Sequence, residues 1–309
     1  MRRVGVIDLG TNSSRLLVAD VDGRRLTEVE RGTTITRLGE RLEASGRLSD
    51  DAIARVADAV AGYRKLLDSH GAEQVVCVAT SAMRDAENGG DLADLLRRRY
   101  DVDPHVISGD EEARLTFLGA TRGRPGDQPT LVIDIGGGST EFVVGHPAEE
   151  PSFHVSTRMG SVRHTERHLH SDPPADEELA ALAADADAIL EADISDSVRA
   201  AVERAIAVAG TATSLAAIQQ RLDPYDPERV HGYRLTRRAC EEMQRMLASL
   251  PVAERREVPG LQPDRAPTIV AGVAILARSL RAFGLEEVEV SEADILHGAA
   301  LEAASKGLE

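Results

Sequence analysis

The chain opens on an apolar run at residues 4–9 (VGVIDL), breaks at 10–13 (GTNS) and resumes at 15–21 (RLLVADV). Two short apolar runs about a small polar turn predict a buried β-hairpin. A third strand is expected over 27–38, after the turn at Asp22 and Gly23. Over 50–69 the period changes. Ile53, Val56, Ala57, Val60, Tyr63 and Leu67 recur every three or four positions, the stripe of a half-buried helix. Strand 75–79, a loop carrying Thr80, Ser81 and Arg84, helix 91–99, strand 104–107 and helix 109–121 follow. Strands alternating with helices predict an α/β layer.

The breaker-rich stretch 122–129 (RGRPGDQP) marks a boundary, dividing the chain into lobes at 1–124 and 125–309. Beyond it the opening pattern recurs as strand 130–135 (TLVIDI), turn 136–138 (GGG) and strand 139–145 (STEFVVG). The shared V-I-D-[LI]-G is read as an internal repeat, one copy per lobe. Helices are expected near 175–192, 236–249 and 266–282, and a strand at 205–208 runs into GTATSL. Residues 222–233 read as loop. A final strand and helix occupy 287–305, the helix over about 292–305 being a candidate to pack back on the first lobe.

Length and charge narrow the function. At 309 residues, two cores are the default. A formal net charge of −16 argues against broad nucleic-acid or anionic-membrane binding, so any polyanionic substrate must meet a local positive patch. No long uncharged apolar stretch suggests a signal peptide or membrane span, and a cytoplasmic protein is expected. Cys77 and Cys240 form no disulfide framework or metal quartet and are read as reduced core thiols. Lys65 and Lys306 are the only lysines, and neither follows a glycine turn, which excludes a Walker-type phosphate loop.

The duplicated turn is the strongest chemical signal. Thr11, Asn12 and Ser13 in one copy, and Gly137, Gly138 and Ser139 in the other, offer amides and hydroxyls for an anion nest. Asp8 and Asp134 end the preceding strands. Carboxylates facing phosphates repel them unless a hard cation such as Mg²⁺ (or Mn²⁺) lies between. In ISGDEEARLTFLGA (107–120), Ser108 and Glu111 have the spacing of a capping box, which leaves Glu112 over at a helix N-terminus.

DLGTNSSRL, ATSAMRDA (79–86), ISGDEEARLTFLGA, DIGGGSTEF (134–142), MGSVR (159–163), AGTATSLAA (209–217), RAPTIVAG (265–272) and VSEADILHG (290–298) follow one another along nearly the whole chain. In these motifs and their order the sequence resembles the exopolyphosphatase and guanosine pentaphosphate phosphohydrolase (Ppx/GppA) family, in a short form without additional C-terminal helical domains. The resemblance implies two actin-like ATPase (ribonuclease H-like) α/β lobes with an interlobe cleft. It implies a phosphoanhydride hydrolase acting on inorganic polyphosphate or guanosine pentaphosphate, with a homodimer and a monovalent cation as further candidates.

By the same resemblance Glu112 is the base that deprotonates the attacking water, Arg84 supplies charge, and Glu141, on the face of Ser139, helps hold metal or water. Phosphate contacts are expected from Gly10, Thr11, Asn12, Ser13, Arg15, Gly136, Gly137, Gly138, Ser139, Thr140, Ser161, Gly210 and Thr211, and metal contacts from Asp8, Asp134 and Glu141. AGTATS departs from the family pattern, since the usual doubled glycine is reduced to Gly210 after Ala209. That weakens the expectation of purine stacking there. Residues 154–170 concentrate His154, Arg158, Arg163, His164, Arg167, His168 and His170, read as a polyanion track or a solvated helix face. The track and the reduced glycine turn favour polyphosphate. His164 and His168 stand at i, i+4, but with no third ligand in view zinc is not expected. An actin-like ATPase or sugar kinase would explain the hairpins but not Glu112 and Arg84, and a non-catalytic polyphosphate or alarmone sensor would dispense with the base.

Overall fold

The computed structural model describes residues 1–147 and 149–306. Along the chain come β1 (Arg2–Leu9), β2 (Ser14–Asp22), β3 (Arg25–Thr34), α1 (Leu42–Ser45), α2 (Asp50–Ser69), β4 (Gln74–Ala79), α3 (Ser81–Asp85), α4 (Gly89–Tyr100), β5 (Pro104–Val106) and α5 (Gly109–Ala120). These are followed by β6 (Thr130–Ile135), β7 (Thr140–Gly145), β8 (Phe153–Thr157), α6 (Ser161–His168), α7 (Asp176–Asp193), α8 (Asp196–Ala200), β9 (Arg204–Val208), α9 (Ala209–Gln220) and α10 (Pro227–Val230). The remainder is β10 (Arg234–Thr236), α11 (Arg237–Ala248), α12 (Val252–Arg255), α13 (Ile269–Ala282), β11 (Glu287–Val290) and α14 (Ile295–Lys306).

Two compact units result. The first comprises Met1–Arg122 and the chain from Asp294 onward, and the second Gly123–Ala293. The boundary read at 124/125 thus lies at 122/123, and the second unit ends before the last helix instead of running to the C-terminus. The physical reason is close backbone packing. A Cβ on Gly119 of α5 would stand 1.9 Å from the Asp294 carbonyl oxygen, and one on Gly298 of α14 would stand 1.9 Å from that of Leu115.

In the first unit the sheet runs β3-β2-β1-β4-β5. β1 pairs antiparallel with β2 and parallel with β4. Alternate side chains face opposite layers, as the strand period requires. Ile7, Leu9, Leu16 and Val18 meet α2 and α4, while Val4, Val6, Leu17 and Ala19 meet α5 and α14. Helices on both faces explain why these strands read as continuous apolar runs rather than alternating ones.

The second sheet runs β10-β11-β9-β6-β7-β8. Read from β8 inward, a meander of three antiparallel strands followed by two parallel ones repeats the first unit's order, and β10 adds an antiparallel edge. The repeat seen in the V-I-D-[LI]-G turns is therefore a repeat of whole α/β topology, as expected of two actin-like lobes. Leu131, Ile133, Ile135 and Phe142 line the second core with α13, which is buried along nearly its whole length. Among the described residues no helix is long and apolar enough to cross a membrane.

Several local expectations shift. β3 stops at Thr34, short of 38, and the loop expected at Thr80–Arg84 contains the single-turn α3. Residues 222–233 include α10; β8, α9 and β10 lie where no element was read, and α6 falls in the stretch read as a polyanion track or a solvated helix face. α9 has no amphipathic stripe because small residues (Ala212, Ser214, Ala216, Ala217) are buried all round it, so the helical period leaves no trace.

Candidate active site

Both hairpins close alike. The Gly10 amide donates to the Ser13 carbonyl and the Gly136 amide to the Ser139 carbonyl, each at 3.0 Å. A later segment then takes the turn's own carbonyls. The Arg37 and Gly39 amides donate to Asn12 (2.9 Å) and Thr11 (2.8 Å). In the second unit the Ser161 and Val162 amides donate to Gly136 and Gly137 at 2.9 Å, and the Arg163 guanidinium to Gly138 at 2.8 Å. With these carbonyl dipoles drawn away, no acceptor is found among the described residues for the amides of Thr11, Asn12, Gly137 and Gly138. Convergent amides without competing carbonyls are what an anion nest requires.

In the first unit, Asp8 on β1 stands opposite Arg15 on β2. Arg15 donates to Asp8 Oδ2 through Nε (2.8 Å) and Nη2 (2.7 Å), and through Nη1 to Asp294. Arg15, expected among the phosphate contacts, thus has its guanidinium held by two carboxylates. Asp8 is 3% exposed, and burial pushes its carboxyl pKa up against the opposing pull of Arg15. Its Oδ1 is buried without a hydrogen-bond partner among the described residues. Such an orphaned oxygen fits a site for a hard cation.

The Thr11 and Ser81 hydroxyls hydrogen-bond at 2.8 Å, fastening the first turn to α3. That helix carries Arg84, whose Nη1 donates to the Ile107 carbonyl (2.9 Å) and to Glu112 Oε2 (3.3 Å). Glu112, 7% exposed, projects from the first turns of α5. Two of the sequence-predicted catalytic residues are therefore neighbours. Ser108 accepts the Glu111 amide at 3.1 Å, the half of the expected capping box that the structure records.

In the second unit Asp134 on β6 stands opposite Glu141 on β7. Both are buried, and Glu141 Oε1 accepts from the Ser156 hydroxyl at 2.7 Å. Carboxylates directly opposite across antiparallel strands repel. Their oxygens form a donor set suited to Mg²⁺ or Mn²⁺. Thr140, by contrast, is fully buried and donates its hydroxyl to the Met159 carbonyl, and Ser161 donates to the Gly136 carbonyl at 3.2 Å. Both brace the turn from behind. Gly210 and Thr211 lie at the start of α9, where Ala209 takes a left-handed φ of 64°. A Cβ on Gly210 would fall 1.8 Å from Nη1 of Arg265, so the glycine is needed for a guanidinium to lie against the turn.

Residues 154–170 do not form one basic track. Arg163 is buried on the Gly138 carbonyl, His164 is sealed inside, and Arg167 and His168 both bond Asp185 of α7. Most of this charge is spent internally. Sequence reasoning missed Asp294 and Arg265 as site residues and placed Arg163 in a basic track, whereas it donates to the Gly138 carbonyl of the second turn. Asp294 and Arg265 lie in the motifs VSEADILHG and RAPTIVAG, which were the available signal.

Residues 17–306 match the model of the Ppx/GppA phosphatase family. "Exopolyphosphatase 2" of Mycobacterium tuberculosis is 39% identical over 316 residues, covering 97% of this chain and 98% of that protein. A crystal structure of an exopolyphosphatase-like protein superimposes with a TM-score of 0.94 at 33% identity, covering 100% of this chain and 99% of the other. A crystal structure of an exopolyphosphatase from Cytophaga hutchinsonii gives 0.89 at 27% identity, with the same coverage.

Proposed function

The chain belongs to the Ppx/GppA phosphatase family, and from that premise we propose that it hydrolyses the terminal phosphoanhydride of inorganic polyphosphate, releasing orthophosphate. The observation that carries this reading is Glu112, a buried carboxylate 3.3 Å from the Arg84 guanidinium at the start of α5. A water attacks the terminal phosphorus, Glu112 takes its proton, and the bridging P–O bond breaks so that its oxygen leaves on the shortened chain. Arg84 holds the Glu112 carboxylate and offers positive charge to the developing phosphoryl oxygens.

The two amide nests bind nonbridging oxygens. Within their respective units Asp8, and Asp134 with Glu141, are the residues that would hold Mg²⁺ or Mn²⁺, which supplies further positive charge to phosphate when bound. Polyphosphate is favoured over guanosine pentaphosphate by the α9 turn. The Arg265 guanidinium against Gly210 offers charge for an anion at a place where a purine would need an open face.

Phosphate release is to be compared for long polyphosphate, short polyphosphate, guanosine pentaphosphate and ATP, each with and without Mg²⁺. Glu112→Gln is expected to lower turnover on polyphosphate by about 10²–10⁴-fold while binding persists, the range for loss of a general base. Near-normal turnover in that variant would remove Glu112 from the role. Faster release from guanosine pentaphosphate than from polyphosphate would reverse the substrate assignment.

A further inference from the structure

His164 and His168 lie one turn apart on α6, so their rings project from the same side of the helix. The third partner that the local sequence lacks comes from α7. Asp185 Oδ2 lies 2.8 Å from His168 Nε2 and 3.5 Å from His164 Nε2. One donor atom from each of the three residues falls within 4.8 Å of the others. We propose that His164, His168 and Asp185 form a binding site for a zinc-class divalent transition ion, distinct from the carboxylate sites of the hairpins and independent of the hydrolytic reading.

Donor chemistry separates this cluster from the hairpins. Two imidazoles and one carboxylate suit zinc-class ions, whereas Mg²⁺ prefers oxygen alone. In a tetrahedral site with bonds of about 2.0–2.2 Å, ligand atoms stand about 3.4 Å apart. The His164–Asp185 pair already has that spacing at 3.5 Å, and the His168–Asp185 pair, at 2.8 Å, would open to reach it. His164 is 0% exposed and supplies a rigid ligand, while His168 and Asp185 reach partial exposure, which gives an ion access and leaves a water to complete its shell. The location gives the ion a structural role. α6 is the helix whose first residues brace the Gly136–Gly138 carbonyls, so tying it to α7 stiffens the second nest from behind.

The competing occupant is Arg167, whose Nη1 lies 3.1 Å from the same Asp185 Oδ2. Its side chain is 35% exposed and can swing into water when a cation arrives. The two cations therefore compete for one oxygen, which yields opposite expectations for neighbouring residues.

The full-length protein, stripped with chelator, is to be titrated with Zn²⁺ alone by calorimetry, with Co²⁺ as a visible-absorption probe. Wild type is expected to bind one Zn²⁺ that His168→Gln and Asp185→Asn each weaken by at least about tenfold, since even outer partners of a ligand cost that much. Arg167→Gln is expected to tighten binding. The Co²⁺ spectrum of a nitrogen-ligated site should appear in wild type and be lost in His168→Gln. Equal Zn²⁺ affinity in wild type and His168→Gln, or weaker binding in Arg167→Gln, would overturn the proposal. Thermal melts of the stripped variants separate loss of fold from loss of a ligand.

Discussion

His297 is sealed inside the first unit between two carboxylates, with Nε2 2.9 Å from Glu28 Oε1 and Nδ1 3.8 Å from Asp294 Oδ1. Burial alone would lower its pKa, but the negative charges of Asp294 and Glu28 and the hydrogen bond to Glu28 raise it above the ordinary histidine value. For Asp294 burial works upward, yet Arg15, His297 and Arg31 outweigh it and hold the carboxyl below its usual range. A histidine raised on folding stabilises while protonated, fully below its unfolded pKa, and that contribution is lost as pH climbs through the folded value. A depressed aspartate stabilises above its unfolded pKa and ceases to do so as pH falls through the folded one. These two groups thus favour the fold most between about pH 4 and 6.5, the unfolded values. Thermal melts across pH should show a decline above that window in wild type that is reduced in His297→Gln. Parallel curves would exclude His297 as its source. The chain from Asp8 through Arg15 and Asp294 to His297 was not legible in the sequence, since Arg15 and Asp294 are 279 positions apart. Asp8 and Asp134 were legible because they stand at one place in a duplicated motif.

The junction between the second nest and α6 depends on contact between elements. Gly160 has φ −142°, which any residue can adopt, so a glycine is needed there for space alone. A Cβ would lie 2.4 Å from the Gly137 oxygen and 2.5 Å from the Gly138 carbonyl carbon, both backbone atoms that cannot rotate away. Gly160→Ala is expected to cost about 1–3 kcal/mol in urea denaturation and to depress phosphate release. An unchanged midpoint would mean that the nest yields freely. α2, at Asp50–Ser69, coincides with its sequence reading because a long one-sided helix writes its period plainly. β8 and the inward bonding of α6 were hidden for the opposite reason. Their histidines and arginines read as a solvated run, while Arg163, His164 and His168 in fact bond inward, an arrangement that depends on Asp185 from a separate helix.

At the scale of the molecule, the second unit is inserted between two parts of the first. Residues 123–293 contain a complete six-stranded sheet and its apolar core, so this fragment is expected to unfold cooperatively in urea. Residues 1–122 alone should not, because losing α14 bares Val4, Val6, Leu17 and Ala19. Circular dichroism of both fragments tests this, and a cooperative transition in the shorter one would show α14 to be dispensable. The sequence disclosed the duplication and offered the last helix as a candidate to return to the first lobe, but not the glycine contacts between α5 and α14 on which that return rests, since they carry no periodic signal. The duplicated sheets differ most tellingly across the strand from each aspartate. Arg15 occupies that position in one unit and Glu141 in the other. The two hairpins therefore differ in local charge: the first sets a guanidinium beside its aspartate, whereas the second sets a carboxylate there. A cation at the second hairpin would thus meet two carboxylates, and one at the first a carboxylate already shared with a guanidinium.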